Sequence, residues 1–262
     1  MKKQELISFL EEFAPKQYAE HWDNVGFLLG KKEEELSKVY ICLDVQRRSV
    51  EEAIAHSCNF ILSHHPFIFQ GMKAVTGDNE QGRLLLTLAE HKISVFSMHT
   101  NFDSVKEGMG DLICSKLSWK KEGVLQEVAP SSEGMSQGIG FYTRVDKAFS
   151  CEELAAYVKE KAKLPYIEYF DSGKPIQKIA VCPGSGKSFI KDVIVLGADA
   201  YITGDLGHHD AVDALGEGLS LLNAGHYGLE RFFVPYMGEQ IRRHFPKIDC
   251  VEEKEVFLGK IL

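Results

Sequence analysis

The stretch "KVYICLDVQRRSVEEAIAHSCNFILSHHPF" (residues 38–67) decides the fold class of this chain. It begins with the apolar run "KVYICLD", which is typical of a buried strand. The following "RRSVEEAIAHS" predicts a helix, in which Ser49 and Glu52 stand at the spacing of a capping box. "FILS" predicts a second strand, and two histidines follow it directly. A strand, a helix and a strand in this order are typical of α/β layers with largely parallel sheets.

The same alternation continues along the chain. Beyond residue 67 the sequence predicts helix "GRLLLTLAEHK", strands "ISVFSM" and "GIGFYTRV", helix "LAAYVKEKA", strand "KIAVC", helix "FIKDVIVLG", strand "AYIT", helix "AVDALGE" and strand "LSLLNA". Ser150 and Glu153 repeat the capping-box spacing before "LAAYVKEKA". The fold class is therefore α/β, with helices flanking mainly parallel or mixed sheets. A change to polar, Gly-containing sequence near residues 125–138 marks a candidate domain boundary.

The composition argues against several classes of protein. The 262 residues are 44% hydrophobic and 26% charged, and the net charge of −8 argues against a generic nucleic-acid-binding surface. No stretch approaches the roughly 20 consecutive apolar residues that span a bilayer, so we expect no membrane partner. The six cysteines form no CxxC pair. We interpret them as reduced thiols and predict a cytoplasmic location.

The two halves of the chain resemble each other weakly. Each half has a strand with a cysteine, a helix, a second strand and a histidine pair, and further on a histidine with an acid four residues later. The residues in register are His64, His65, His99 and Asp103 in the first half and His208, His209, His226 and Glu230 in the second. All of them follow predicted strands, and the carboxyl ends of strands are where open α/β sheets place their sites.

These side chains are the ingredients of a two-metal centre. Neutral imidazole binds borderline divalent ions such as zinc, iron, manganese or cobalt, and a carboxylate can bridge two of them. A lone histidine near a strand end is more often a hydrogen-bonded polar residue. We interpret the remaining histidines in that way: His21, His56, His91 and His244.

Four motifs carry a resemblance to a known family. "WDNVGFLLG", "SHHPFIF", "HTNFD" and "GHYGLER" resemble the signatures of the dinuclear-metal-centre family of GTP cyclohydrolase 1 type 2 homologues, also called the Nif-three-like family. The matches run from residue 21 to about residue 231 in one order. The resemblance implies the metal ligands His64, His65, Asp103, His226 and Glu230, with Asp103 as the bridging carboxylate. It implies two divalent ions per chain, which could be zinc, iron, manganese, cobalt or nickel.

The resemblance also has consequences for architecture and assembly. The chain is similar to the short form of the family, which lacks a domain inserted in the middle of longer members. Two α/β domains are implied, which we predict as a metal-binding domain of residues 1–125 plus 222–262 and a second domain of residues 126–221. The family further implies self-association as a ring-shaped homohexamer whose metal sites face an inner cavity.

The remaining candidates have competing interpretations. His99 is predicted either to support the metal ligands or donate to substrate, or to hold a loop. His208 and His209 are candidates for binding an anionic or purine group, and Asp205 for capping the following helix. "WDNVGF" predicts a turn that leads into a strand. We expect Trp22 to pack in the core, and Asp23 and Asn24 to orient the site.

The segment "CPGSGKSF" (residues 182–189) resembles a P-loop but is not one. The pattern GxxxxGK[ST] needs glycine where this chain has Val181. We favour a tight turn in which Gly184 and Gly186 supply backbone freedom. The alternative is a phosphate held by backbone amides and Lys187.

Hydrolysis is the reaction class that such a centre predicts. Two ions can lower the pKa of a water and polarise an electrophile. The family resemblance implies GTP, or a related small-molecule nucleotide, attacked by a metal-bound hydroxide with His99 or His208 as proton shuttle. One alternative is a metal-dependent phosphoesterase or amidohydrolase acting on another substrate. The other is a non-enzymatic protein that stores metal or binds it for regulation.

Overall fold

A computed structural model describes residues 1–129 and 136–259 of the chain. Residues 130–135, within the stretch that marked the candidate domain boundary, lie outside the described residues. The helices are α1 (Lys3–Phe13), α2 (Arg47–Ala55), α3 (Glu80–Glu90), α4 (Thr100–Ser104), α5 (Met109–Lys116), α6 (Cys151–Lys161), α7 (Ile190–Val195), α8 (His208–Gly216), α9 (His226–Glu230) and α10 (Phe233–His244). Short 3-10 helices cover Lys16–Tyr18 and Lys187–Phe189.

The strands alternate with these helices as the sequence predicts. They are β1 (Gly26–Leu29), β2 (Lys38–Cys42), β3 (Phe60–Ser63), β4 (Ser94–Ser97), β5 (Gln126–Ala129), β6 (Gln137–Ile139), β7 (Phe141–Phe149), β8 (Glu168–Phe170), β9 (Ile176–Val181), β10 (Ala200–Thr203), β11 (Ser220–Asn223) and β12 (Asp249–Glu252). The predicted α/β class with parallel and mixed sheets is confirmed.

The chain divides into two compact units. The first contains Met1–Phe102 and Phe232–Glu255, and the second contains Asp103–Arg231 and the residues from Val256 onward. The chain returns to the first unit at Phe232 because α10 packs against β2 and β12. The predicted domains, residues 1–125 plus 222–262 and residues 126–221, have different bounds: they place Asp103, His226 and Glu230 with the first sheet.

The first unit is built on a five-stranded sheet in the order β1-β4-β3-β2-β12. Strands β12, β2, β3 and β4 are parallel, and β1 pairs antiparallel with β4 at one edge. The residues of β3 and β4 are buried throughout, as expected for parallel strands that are covered on both faces. The carboxyl ends of the parallel strands β2, β3 and β4 therefore lie at the same edge of this sheet.

The second unit repeats this plan. Its sheet has the order β7-β9-β10-β11-β8, with β9, β10 and β11 parallel and both edge strands antiparallel. The run β8-β9-α7-β10-α8-β11 therefore follows the same order as β1-β2-α2-β3-α3-β4. A small antiparallel pair, β5 with β6, accompanies the second sheet. The weak sequence repeat thus corresponds to a repeated topology.

The local signals at helix starts were only partly right. Ser150 and Glu153 form the predicted capping box of α6, with Glu153 N donating to Ser150 Oγ (3.1 Å) and Ser150 N to Glu153 Oε2 (2.8 Å). The box predicted on Ser49 and Glu52 is wrong, because α2 already begins at Arg47. The Ser49 hydroxyl bonds to the carbonyl of Asp44 instead. The predicted strand "GIGFYTRV" is divided into β6 and β7 at Gly140, whose φ is +64°.

Each unit has its own apolar core. In the first, Tyr40, Ile61 and Val95 pack from the sheet against apolar side chains of α2 and α3. In the second, Tyr201 and Leu221 belong to a cluster with residues of α7 and α8. All six cysteines are free thiols, and five of them are buried. Burial raises the pKa of Cys58, Cys114, Cys151 and Cys250 to about 11, so these thiols stay protonated at neutral pH. Among the residues that the structure describes, no helix has the length and apolar character to cross a bilayer.

Candidate metal centre

His64 and His65 follow β3 in a bend of the backbone, so their rings lie near each other, with centroids 5.0 Å apart. His64 is fully buried, and its ring packs beside Phe233 at 5.2 Å. Its Nδ1 lies 2.7 Å from the carbonyl oxygen of Met98. A carbonyl oxygen can only accept, so the proton of a neutral His64 is on Nδ1.

His65 is oriented by a carboxylate. Its Nδ1 lies 2.8 Å from Oδ1 of Asp44, the second residue after β2. Asp44 is not among the site residues predicted from the sequence. The signal was present, since this acid closes the run "KVYICLD" at the carboxyl end of a strand that neighbours β3.

His99 joins these two histidines after β4. Its Nδ1 is 3.0 Å from Oδ2 of Asp23, whose side chain is fully buried. Burial is the largest influence on Asp23 and acts to raise its pKa. The hydrogen bonds and charge of His99, with the bonds from Thr100, outweigh burial and lower the pKa of Asp23 below its ordinary value. The expected orienting role of Asp23 therefore has a geometric basis.

The first unit thus presents three imidazoles at one sheet edge. His64, His65 and His99 each offer a ring nitrogen, and these nitrogens lie within 4.8 Å of one another. The ring of His99 is 5.3 Å from that of His64 and 5.5 Å from that of His65. The sequence predicts His64 and His65 as ligands and His99 only as a supporting or loop-holding residue, whereas the structure places all three together.

In the second unit, His226 begins helix α9 and has a carboxylate at each nitrogen. Its Nδ1 lies 2.7 Å from Oδ2 of Asp205, and its Nε2 lies 3.1 Å from Oε2 of Glu230, one helical turn later. A neutral imidazole carries only one N–H and cannot donate to both acids. One of the two contacts is therefore unfavourable unless a cation, either a second proton or a metal ion, lies there.

The turn after β9 is shaped around Glu230. Gly184 has a φ of +65°, and a Cβ at this residue would lie 2.2 Å from Oε1 of Glu230 and 3.5 Å from Nε2 of His226. Only glycine leaves this carboxylate its present position. The interpretation of "CPGSGKSF" as a turn that needs backbone freedom agrees with the geometry of Gly184. It is wrong for Gly186, whose φ of −90° is ordinary and where a Cβ would instead lie 2.3 Å from the Tyr201 hydroxyl oxygen.

Asp103 lies in helix α4 and belongs to the second unit. Burial first, and then the negative charge of Asp103 and to a lesser extent that of Glu230, raise the pKa of the Cys182 thiol. Both carboxylates are therefore close to the end of β9, where Cys182 is buried. The two acids implied as ligands share one region of the second unit.

One rule describes all four of these histidines. Nδ1 is bonded to an oxygen, which is Met98 O for His64, Asp44 for His65, Asp23 for His99 and Asp205 for His226. An oxygen partner at Nδ1 fixes the ring orientation and leaves Nε2 as the basic nitrogen of the neutral ring. Histidines that ligate metals almost always have such a partner on the other nitrogen. The donor chemistry of both units therefore fits a borderline divalent ion.

Comparison with known proteins assigns the chain to a family. The sequence profile of Duf34/NIF3 (NGG1p interacting factor 3) matches residues 1–257. The chain belongs to the Duf34/NIF3 family. A Streptococcus pneumoniae relative named GTP cyclohydrolase 1 type 2 homolog is 34% identical over 239 residues, covering 89% of this chain and 88% of that protein. A relative of the same name from Clostridium acetobutylicum is 32% identical over 243 residues, covering 92% and 90%.

Solved structures of this family share the fold. The crystal structure of a hypothetical protein of Staphylococcus aureus is similar to this chain with a TM-score of 0.88 at 27% identity, and covers 100% of this chain and 99% of that one. The resemblance that the four motifs carried is therefore confirmed at the level of the family.

Other predicted residues lie elsewhere in this NIF3-family chain. His208 and His209 form the exposed first turn of α8, with ring centroids 5.4 Å apart. Within residues 1–129 and 136–259, neither ring forms a hydrogen bond. Asp205 does not cap α8. The cap position is Gly207, whose amide donates to Asp210.

Two further predictions do not agree with the structure: the phosphate-binding alternative for the loop after β9, and the core position of Trp22. The Gly186 amide, one candidate for phosphate binding, donates to Thr203 Oγ1 at 2.9 Å. Its carbonyl accepts from the Tyr201 hydroxyl at 2.8 Å. The expectation that Trp22 packs in the core is wrong, because 49% of this residue is exposed. The residues "HWDN" precede β1, which is an edge strand of the first sheet and not a central strand.

Proposed function

We propose that the chain binds two divalent metal ions per molecule through His64, His65, Asp103, His226 and Glu230. Family membership and the four motifs support this ligand set, in which Asp103 is the proposed bridging carboxylate. The ions are borderline divalent cations, such as zinc, iron, manganese, cobalt or nickel, because imidazole and carboxylate donors suit all of them.

One observation carries the proposal: the Nδ1 atom of every histidine in the set has an oxygen partner. A histidine that only holds a loop uses either nitrogen. In this chain three histidines from two separate βα repeats all have Nδ1 beside an oxygen, which leaves Nε2 of each ring as the nitrogen that could bind a metal ion. The two carboxylate contacts of His226 also support the proposal, because a bound cation would make both of them favourable.

The reaction we propose is hydrolysis of GTP or a related nucleotide. A pair of bound divalent ions supplies an acidified water and polarises the electrophile. The chain's own part is to hold the ligand rings through their acceptors and to move a proton. Of the two shuttle candidates, His99 is favoured, because its ring lies with His64 and His65 and its Nδ1 proton is held by Asp23. His208 has no comparable partner among the described residues.

Elemental analysis of the purified protein tests the metal proposal. We expect close to two ions per chain for the unmodified protein and a sharp decrease for Asp103→Asn. A chain that retains well under one ion after exposure to zinc, iron and manganese would exclude the centre. Asp111→Asn is a matched control, because Asp111 is not a proposed ligand. It lies in α5, and its carboxylate accepts a hydrogen bond from the Glu107 amide.

An activity assay then separates the candidate functions. Hydrolysis of the purine ring of GTP releases a formyl-containing product, whereas phosphate release alone indicates a phosphoesterase. Metal and nucleotide binding without turnover would indicate a storage or regulatory protein. His99→Ala should decrease turnover while the metal content remains.

We also propose an oligomeric state and a cellular location for the protein. A homohexamer is proposed from the family resemblance, and the molar mass in solution by light scattering tests it. Six free thiols support a reducing compartment, for which we propose the cytoplasm.

A further inference from the structure

Two exposed aromatic rings lie beside the imidazole cluster, and the proposed hydrolysis does not use them. Trp22 is 49% exposed and Phe69 is 48% exposed. Their ring centroids are 5.9 Å apart, with an angle of 62° between the planes. The indole also contacts the ring of His99, at 6.1 Å and 71°. Two large apolar surfaces therefore face water directly next to one of the three clustered histidines.

Hydrogen bonds of neighbouring residues help to fix the position of these two rings. The side-chain amide of Asn24 donates to the carbonyl of Ile68, the residue before Phe69, at 2.5 Å. Asp23 bonds to His99. The three consecutive residues Trp22, Asp23 and Asn24 thus present a ring, orient an imidazole and fix the neighbouring loop.

In this position nearly half of each of the two aromatic residues remains exposed to water. Exposed aromatic surface is unfavourable in water, and a contiguous exposed patch commonly marks a binding site. Among the described residues, the aromatic rings that contact Trp22 are those of Phe69 and His99, so the patch has the size of a small ring system. Polar groups at its border, the imidazole of His99 and the indole N–H of Trp22, suit a ligand with polar edges.

We propose that Trp22 and Phe69 form a stacking platform for a planar heteroaromatic ring of the substrate. Such a ring stacks through its π face on tryptophan and phenylalanine, and nucleobases do so whatever their identity. Its polar edge then faces His99. The inference rests on the proposed function, since it names the part of the nucleotide that the chain recognises, but stacking itself needs no turnover.

Intrinsic fluorescence provides a direct readout. The chain has two tryptophans, so Trp119→Phe leaves Trp22 as the single indole. Phenylalanine preserves the stacking of residue 119 on Tyr157, whose ring centroid is 5.8 Å away. We expect guanosine and GTP to change the emission of Trp22, and inorganic triphosphate to leave it unchanged. Equal responses to triphosphate and guanosine would overturn the platform.

Substitutions test the platform by affinity. Equilibrium dialysis with GTP should give a dissociation constant raised at least about fivefold by Trp22→Ala and by Phe69→Ala, because a base stacked on an aromatic ring contributes that much or more. Trp22→Phe should retain most of the affinity. Tyr169→Ala, at a residue of β8 that is 41% exposed, is the matched control and should bind as the unmodified protein does.

Metal content and turnover distinguish failure of the platform from failure of the proposed function. We expect every one of these variants to keep the metal content of the unmodified protein. If Trp22→Ala lost metal together with affinity, or bound and hydrolysed GTP normally, the platform would be wrong and the hydrolase proposal would stand. If guanosine quenched Trp22 and GTP were never hydrolysed, the platform would stand and the hydrolase proposal would fail.

Discussion

At the scale of single residues, the candidate centre depends on which nitrogen of each imidazole carries the proton. Asp44, Asp23 and Asp205 decide this for three of the histidines, and a backbone carbonyl decides it for His64. An aspartate partner also makes the other nitrogen a stronger donor, because its negative charge raises ligand basicity. We therefore expect Asp44 and Asp205, which were not predicted as site residues from the sequence, to matter almost as much as the proposed ligands.

Asp205→Asn is the residue change that tests this argument. Asparagine keeps the shape of the side chain and removes its charge, so we expect the affinity for zinc to fall about 10- to 100-fold. Titration against a competing chelator measures it. Asp213→Asn, at an exposed residue of α8, should leave the affinity unchanged. Equal affinities for all three proteins would show that the bond between Asp205 and His226 has no role in metal binding.

At the scale of elements, the turns that follow the parallel strands position the side chains of the proposed centre. Gly184 in the turn after β9 combines a positive φ with a close approach to Glu230. Gly173 has a similar φ of +76°, but a Cβ there would meet nothing within 4 Å. Alanine substitutions at these two glycines can therefore distinguish the free-energy cost of a left-handed backbone from the cost of displacing a carboxylate.

We expect Gly173→Ala to lose roughly 1–2 kcal/mol of stability from the left-handed backbone, and Gly184→Ala to lose more, because it also displaces the Glu230 carboxylate. Only Gly184→Ala should lose bound metal, because the new methyl group occupies the position of Glu230 Oε1. Urea denaturation and elemental analysis of both variants measure the two effects. Metal loss in both variants, or in neither, would contradict a specific role for Gly184.

The capping box of α6 makes a prediction that is independent of the centre. Ser150→Ala removes the bond to the Glu153 amide and should decrease the free energy of unfolding by about 1 kcal/mol. The pKa of Glu153 lies below its ordinary value of 4.5, first because its carboxylate accepts from the backbone amide of residue 150, which Ser150→Ala keeps, and second because of a hydrogen bond with the Ser150 side chain, which Ser150→Ala removes. This contribution is present above pH 4.5 and is lost as the pH falls through the lowered pKa. Denaturation at pH 7 and pH 3 should show the difference between the two proteins decreasing in acid.

At the scale of the whole molecule, metal binding and folding should be coupled. An ion that binds only the folded chain stabilises it by about 2.7 kcal/mol at a hundred times its dissociation constant. For a chain of this size that corresponds to a decrease in melting temperature of roughly 5–10 °C on chelation. Thermal unfolding before and after verified metal removal measures the shift, and Asp103→Asn should show little. An unchanged melting curve would indicate a centre that is already formed without metal.

The sequence by itself determined the α/β class, the order of helices and strands, and the family. Apolar runs with helical segments between them have only a few compatible arrangements, and "SHHPF" and "GHYGLER" place donors at strand ends. Only the tertiary structure decided that His99 joins His64 and His65, that Asp44 and Asp205 bond to His65 and His226, and that Trp22 is exposed. The physical reason is that periodicity reports burial along one segment. A hydrogen bond such as that between Asp23 and His99, 76 residues apart, exists only after separate strands have paired.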